Sequence, residues 1–206
     1  GYDFVTTLSY LLPASFAISL LQVLTAGPDQ TPVSKYLYLL CLPGISVGMW
    51  ATEFSPLASW ANILIGGTLL FSALVRLWSP SRIVLAELLE KHFLLYPLVM
   101  GFIHGLTNLG GALLSILASG THAEKKAIRQ TIAHYYLVFS IVQMLTLATI
   151  MGHLDILIAN STTAIVSATV YFLVGNRFFI NASNPSYNFA MTLFIAVYGF
   201  VVLLNF

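Results

Sequence analysis

Seven long stretches of this chain contain no Asp, Glu, Lys or Arg: residues 4–28, 36–52, 54–75, 93–119, 130–154, 156–176 and 178–206. Crossing the roughly 30 Å hydrocarbon core of a bilayer takes about 20 apolar residues of helix. Six of the stretches reach that length, and the second, at 17 residues, falls just short. Only 7% of the residues are charged, 58% are hydrophobic, and the mean hydropathy is +0.90. A soluble fold cannot hide that much apolar surface. The pattern predicts an all-α, multi-pass integral membrane protein whose first partner is the lipid bilayer.

Composition also excludes. A net charge of +1 without any basic, aromatic-interleaved patch gives no nucleic-acid partner. Cys41 stands alone, so no disulfide framework and no CxxC metal site is expected. No HExxH and no core carboxylate pair is present, so neither an enzyme nor a cofactor is expected; Glu53 and Asp155 read as loop residues. Residues 4–28 lack a basic flank and read as a retained helix rather than a signal peptide.

One charge-free stretch is at odds with itself. Phe93–Ser119 contains "HGLTNLGGALL" at its centre, with Gly105, Thr107, Asn108, Gly110 and Gly111. Glycine and Asn disfavour helix, and a backbone opened in lipid leaves unsatisfied N–H and C=O groups. The segment therefore reads as two half-helices meeting at a break.

An internal repeat gives the break a context. Ser19-Leu-Leu-Gln22-Val-Leu-Thr25 recurs as Ser140-Ile-Val-Gln143-Met-Leu-Thr146, 121 residues later. Each copy carries a polar stripe at i, i+4, i+7, which is one helical face: Ser15, Ser19, Gln22 and Tyr136, Ser140, Gln143. Such stripes serve either a ligand or helix–helix hydrogen bonds of about 0.6 kcal/mol each. The chain divides into a first repeat, 1–79, of three helices; a basic loop, 80–92; and a second repeat, 93–206, of the broken segment plus three helices. The first repeat lacks a broken segment, and one is expected upstream of Gly1.

Charge placement says how the break is used. Lys and Arg favour the cytoplasmic side. If residues 93–119 cross once, Lys35, Arg76, Arg82 and Lys91 face one side and Lys125, Lys126, Arg129 and Arg177 the other. If the segment enters, turns at Gly105–Gly111 and returns, all of these fall on one side, leaving Asp3, Glu53 and Asp155 opposite. The second arrangement is a re-entrant hairpin, and it inverts the second repeat relative to the first. Inverted repeats with broken helices are typical of secondary transporters, with the site near the midplane.

The break then suggests chemistry. A half-helix starting near Gly110 aims its N–H groups and positive dipole end inward, which suits a small anion. Gly105, Gly110 and Gly111 allow close backbone approach, while Thr107 and Asn108 offer hydrogen bonds. Ser140 and Gln143 would complete the shell, with Ser19 and Gln22 as pseudo-symmetric partners. No Lys or Arg is expected in the core, so neutral dipoles would hold the anion. His104 is the candidate for proton coupling, and a neutral ring bonded to a backbone carbonyl is its structural alternative. His134 lies on the face away from Ser140 and Gln143 and reads as structural. Asn160–Thr163 reads equally as cavity lining or packing, and Gly44-xxx-Gly48 as close helix packing.

These residues resemble a known family. "GFIHGLTNLGGALLSILAS" at 101–119 and "KKAIRQTIAHYYLVFSIVQ" at 125–143 look like the second-half motif of the TauE/SafE family of sulfite and organosulfonate exporters. "LPGISVGMWATEFSPLASWANILIGGTLLFSALVRLW" at 42–78 resembles its Pro-Gly helix and following basic-ended helix. The resemblance implies two related halves and export of sulfite, thiosulfate, a sulfonate or a carboxylate, driven by an ion gradient of protons or sodium. The inner (plasma) membrane of a bacterium or archaeon is the expected location, with the basic loops cytoplasmic by the charge count. A passive anion channel and a non-transporting membrane subunit are the alternative readings. Single cysteines at Ser81 and Thr121, in a Cys41→Ala background, are expected to label from the same side of sealed vesicles. Labelling from opposite sides eliminates the hairpin.

Overall fold

The computed structural model describes residues 4–26, 35–52, 61–78, 95–108 and 111–204, without the side chains of residues 35–38, 61, 62 and 64. Among these residues every regular element is helical. In chain order they are α1 (Phe4–Leu24), α2 (Lys35–Ala51), α3 (Ala61–Leu77), α4 (Leu95–Thr107), α5 (Gly111–Thr121) and α6 (Lys125–Leu145). A π-helical turn, Thr146–Ile150, extends α6; α7 (Leu154–Ala159) and α8 (Thr162–Val170) follow. A second π turn, Tyr171–Gly175, joins α8 to α9 (Asn176–Asn181), and α10 (Asn184–Leu204) is last.

Among the described residues, four helical runs are long and apolar enough to cross a bilayer: Phe4–Leu24, Lys125–Ile150, Thr163–Asn181 and Asn184–Leu204. These make the chain a membrane protein. Their outer faces carry large apolar side chains into the surroundings, among them Ile165, Val166 and Phe172 on one run and Leu193, Phe194 and Val197 on another. In water such faces would be costly; facing lipid tails they cost nothing. The inner faces of α1, α2, α4, α5 and α6 share one core, with Leu12, Ile45, Met100, Leu114, Tyr135 and Phe139 buried at its centre.

α2 and α4 meet backbone to backbone. A Cβ added at Gly44 would lie 2.8 Å from the Leu98 carbonyl oxygen and 2.9 Å from the Phe102 nitrogen. Added at Gly48, Gly101 or Gly105, it would run into the backbones of Phe102, Cys41 and Ile45 respectively. Two small-xxx-small pairs, Gly44/Gly48 and Gly101/Gly105, thus interlock. Residue number rises together along both partners, so the helices run parallel. Close packing at Gly44-xxx-Gly48 is borne out, and Gly105 proves to be half of the opposing pair.

α1 is held on two sides. At one end, the Gln130 side chain near the start of α6 donates to the Ala26 carbonyl at 3.3 Å. Along its length α1 runs parallel to α8: Asn160 donates to Ser9 Oγ at 2.7 Å, Thr163 to the Tyr10 carbonyl at 2.9 Å, and Ser167 to the Ala14 carbonyl at 3.4 Å. Thr25 and Tyr171 share a hydroxyl–hydroxyl bond at 3.1 Å. The polar run Asn160–Thr163 therefore packs against α1 through Asn160 and Thr163, its other two residues being exposed. It also marks where α7 gives way to α8, at Asn160 with φ −96° and ψ 6°.

Two boundaries differ from those the charges suggest. The sixth stretch continues as helix beyond Arg177 to Asn181, because an exposed Arg at a helix end keeps its head in water while its stem stays apolar. The chain then turns at Ala182, in extended conformation, and α10 begins at Asn184-Pro185, where Pro suits a first helical turn. At the other end, Gly152 adopts φ +74°, a left-handed conformation that lets the chain leave the π turn after α6.

Overpacking costs about 1–3 kcal/mol where side chains can yield, and backbone cannot yield. Gly101→Ala is expected to lower the thermal unfolding midpoint in detergent by several degrees. Gly67→Ala, whose added Cβ meets nothing within 4 Å, is expected to shift it by less than about one degree.

Candidate functional site

The break in 93–119 lies between α4 and α5. α4 ends on Asn108, which adopts φ 54° and donates its backbone N–H to the His104 carbonyl at 2.7 Å. Asn is the side-chain-bearing residue that best tolerates this left-handed conformation, so Thr107-Asn108 acts as a stop signal. Gly110 lies outside the described residues, as do the loop 80–92, Asp3, Glu53, Arg82 and Lys91.

On the α4 side, His104 is fully buried. Gly101 and Gly105 hold their helix against α2, which turns the neighbouring His104 face toward α6. Its Nε2 lies 3.1 Å from Gln143 Oε1. The ring packs tilted on Phe139 at 4.8 Å and edge-on to Tyr136 at 5.5 Å. Among the described residues, His104 Nδ1 and Gln143 Nε2 are buried with no hydrogen-bond partner. An orphaned buried polar atom costs about 1–3 kcal/mol, and here two such atoms belong to one hydrogen-bonded pair.

On the α5 side, Gly111 sits directly against the Tyr136 hydroxyl, in a space that a Cβ would fill. The start of α5 is thereby brought to the same face of α6 that carries His104's partner. Tyr96, in the first turn of α4, donates to the Leu113 carbonyl in the first turn of α5 at 2.7 Å. A groove of about 420 Å³ beside this bond is lined by Gly67, Thr68, Phe71, Tyr96, Val99 and Leu113 and is predominantly apolar.

The second-half stripe is thus gathered at the break, with Tyr136, Ser140 and Gln143 on α6. Ser140 is buried and donates to the Leu137 carbonyl of its own helix at 3.0 Å. Thr107 donates to the Ile103 carbonyl at 2.7 Å. The first-half stripe is placed differently: Ser19 is buried and Gln22 half-buried on α1, and among the described residues neither side chain makes a hydrogen bond. His104 bonds a side chain, Gln143, rather than a backbone carbonyl. His134 Nδ1 lies 2.8 Å from the Gln130 carbonyl of its own helix.

One residue overturns the expectation of a core free of Lys and Arg. Arg76, only 4% exposed, sends its guanidinium inward from the last turn of α3. Nε donates to Thr192 Oγ1 at 2.9 Å; Nη1 donates to the Ser115 carbonyl at 3.0 Å and Ser119 Oγ at 2.8 Å. Nη2 donates to the Asn188 side chain at 3.3 Å. Its place at a helix end made it read as a loop cation. The signal for the inward turn was the line of hydroxyl and amide groups, Ser115, Ser119, Asn188 and Thr192, at four-residue spacing on α5 and α10. Searches among family models, curated proteins and solved structures return no match to this chain.

If Asn108 serves as the helix stop, Asn108→Gly is expected to fold as well as the original chain. Asn108→Val is expected to lose about 1–2 kcal/mol, since a β-branched residue resists this φ. Denaturation of the three proteins in mixed micelles checks both.

Proposed function

We propose that this protein is a secondary transporter of a small sulfur-containing or organic anion, working by alternating access at the α4–α5 break, with export as its direction. The observation that carries the reading is the buried His104–Gln143 pair, two polar side chains with hydrogen-bonding atoms unused among the described residues of a membrane protein. α5, of 11 residues, begins at Gly111 against the Tyr136 hydroxyl, and Tyr136 in turn contacts the His104 ring.

The re-entrant hairpin has three supports. Tyr96 ties the start of α4 to the start of α5. α4 runs parallel to α2, while the chain after α5 enters α6 at the end where Gln130 meets Ala26. At its far end, α5 is bonded through Ser119 to Arg76 at the end of α3. A single crossing would carry α5 away from the ends of α1 and α3.

The inverted repeat has two. The 121-residue offset relating Ser19 to Ser140 also carries the ends of α1, Phe4 and Leu24, onto the ends of α6, Lys125 and Leu145. The repeat-related threonines bond reciprocally: Thr25 to Tyr171 in the second half, and Thr146 to Ser46 in the first, each at 3.1 Å. Each repeat-related threonine thus reaches into the opposite half. Together with the resemblance to the TauE/SafE exporters, these features favour transport of sulfite, thiosulfate or a sulfonate across a bacterial or archaeal inner membrane, with the basic loops cytoplasmic.

Counterflow in liposomes tests the proposal. Labelled sulfite, thiosulfate or taurine is expected to exchange with the chain reconstituted. Gln143→Ala, which strips the His104 partner at a cost of about 1–3 kcal/mol, is expected to slow exchange about five- to a hundred-fold at low substrate. Absence of exchange for all three in well-folded protein removes the sulfur-anion reading.

A further inference from the structure

We infer that the His104–Gln143 pair takes an oxyacid group together with one proton, so that the site binds anion and proton one to one. This rests on the transporter reading and deepens it by assigning the coupling ion and the protonation state of the bound group.

The inference follows from counting donors and acceptors. With Gln143 Oε1 accepting at 3.1 Å, His104 Nε2 carries the hydrogen and Nδ1 is a bare lone pair. The Gln143 amide N–H group is then a bare donor. Turning the amide over reverses both roles: Nδ1 becomes the bare donor and the amide oxygen the bare acceptor. Either arrangement leaves an open acceptor beside at least one open N–H donor, in side chains no more than 1% exposed.

A fully ionised oxyanion offers acceptors alone. It complements the open donor and sets its own lone pairs against the open acceptor. A sodium ion has the opposite defect, satisfying the acceptor and opposing the N–H. One proton added with the anion resolves the mismatch. Placed on the ring, it makes His104 a donor at both nitrogens, with Gln143 presenting its amide oxygen to Nε2. Placed on the ligand oxygen, it turns that oxygen into the donor that Nδ1 lacks. The proton comes from water on the loading side, and no covalent bond other than the N–H or O–H is made or broken.

The surroundings leave the proton dependent on the anion. Tyr136 is the titratable side chain in contact with the ring, and Phe139 covers another edge. α4 and α5 contain no Asp, Glu, Lys or Arg, and on α2 the one charged residue is Lys35, at its first position. Cys41, on α2, packs against Gly101, a turn before His104. On α6 the charged residues Lys125, Lys126 and Arg129 occupy the first turns, about 21 Å of helix before Gln143. Among the described residues of these elements no carboxylate is available to hold an imidazolium at rest, so the ring gains a stabilising partner when the anion arrives.

Calorimetry on the purified full chain in nanodiscs tests this. Methanesulfonate, which cannot itself be protonated near neutral pH, and acetate are each titrated at pH 7.5 in bis-Tris and in Tris, cationic buffers whose ionisation heats differ. The expected result is uptake of one proton per anion for both probes, with affinity falling about tenfold per pH unit above neutrality. In His104→Gln, loss of uptake with both probes places the proton on the ring. Uptake retained with acetate alone places it on the ligand. Should the variant fail to fold, the two-buffer comparison on the unaltered chain still decides. Methanesulfonate binding without proton uptake overturns the inference and leaves the anion-transporter reading standing. No binding of either probe from pH 5 to 8 defeats both.

Discussion

The interlocked glycines of α2 and α4 are the contact on which the His104–Gln143 pair depends. In lipid, apolar side chains gain little by leaving the tails for one another, so helices are held by close van der Waals approach and by polar bonds. Gly44, Gly48, Gly101 and Gly105 bring two backbones to a separation that no side chain permits. Once α4 is fixed in rotation, His104 has one direction to face, toward Phe139 and Gln143. Asn108 then ends the helix one turn beyond the ring. The glycines thus set where the break falls as well as which helices touch.

Around this seam, polar side chains act as cross-ties between helices. α1 and α8 are joined by Ser9, Asn160, Thr163 and Ser167, and α2 and the π turn after α6 by Ser46 and Thr146. Each such bond is worth about 0.6 kcal/mol in lipid, but their order along the helices fixes register. Lys125 does the same at a helix end, donating to the Phe179 carbonyl at 2.6 Å, to the Ile180 carbonyl at 3.3 Å and to the Ala182 carbonyl. A cation at a helix C-terminus also meets the negative end of its dipole.

Much of this was legible in the sequence, for physical reasons. Charge-free runs report helices that lie in lipid, because burying an ion there is costly. Glycines at four-residue spacing report close packing, and Gly44-xxx-Gly48 was readable on that ground. Its partner pair, Gly101/Gly105, was hidden because one member also belongs to the broken motif, and a glycine gives the same letter for contact with backbone as for contact with ligand. Asn108 was ambiguous in the same way, since its side chain can donate to a substrate and its backbone can adopt positive φ. Arg76 was misread because a charge near a helix end is ordinarily solvated. Only the folded arrangement brings Ser115, Ser119, Asn188 and Thr192 within its reach. The stripe on α6 found its neighbours across the break. Its counterpart on α1 could not be told apart from it by spacing, because the repeat reproduces residue types and not surroundings.

Arg76 also anchors one side of the break. Its guanidinium fastens α3 to α5 and α10, while the glycine seam fastens α4 to α2. The two halves of the broken segment are thus tied to different neighbours, although both contribute to the shared core. Tyr96 to the Leu113 carbonyl and His104 to Gln143 add polar links across the break. The interruption of the helix is therefore braced from two directions, by backbone contact on one side and by a buried cation on the other.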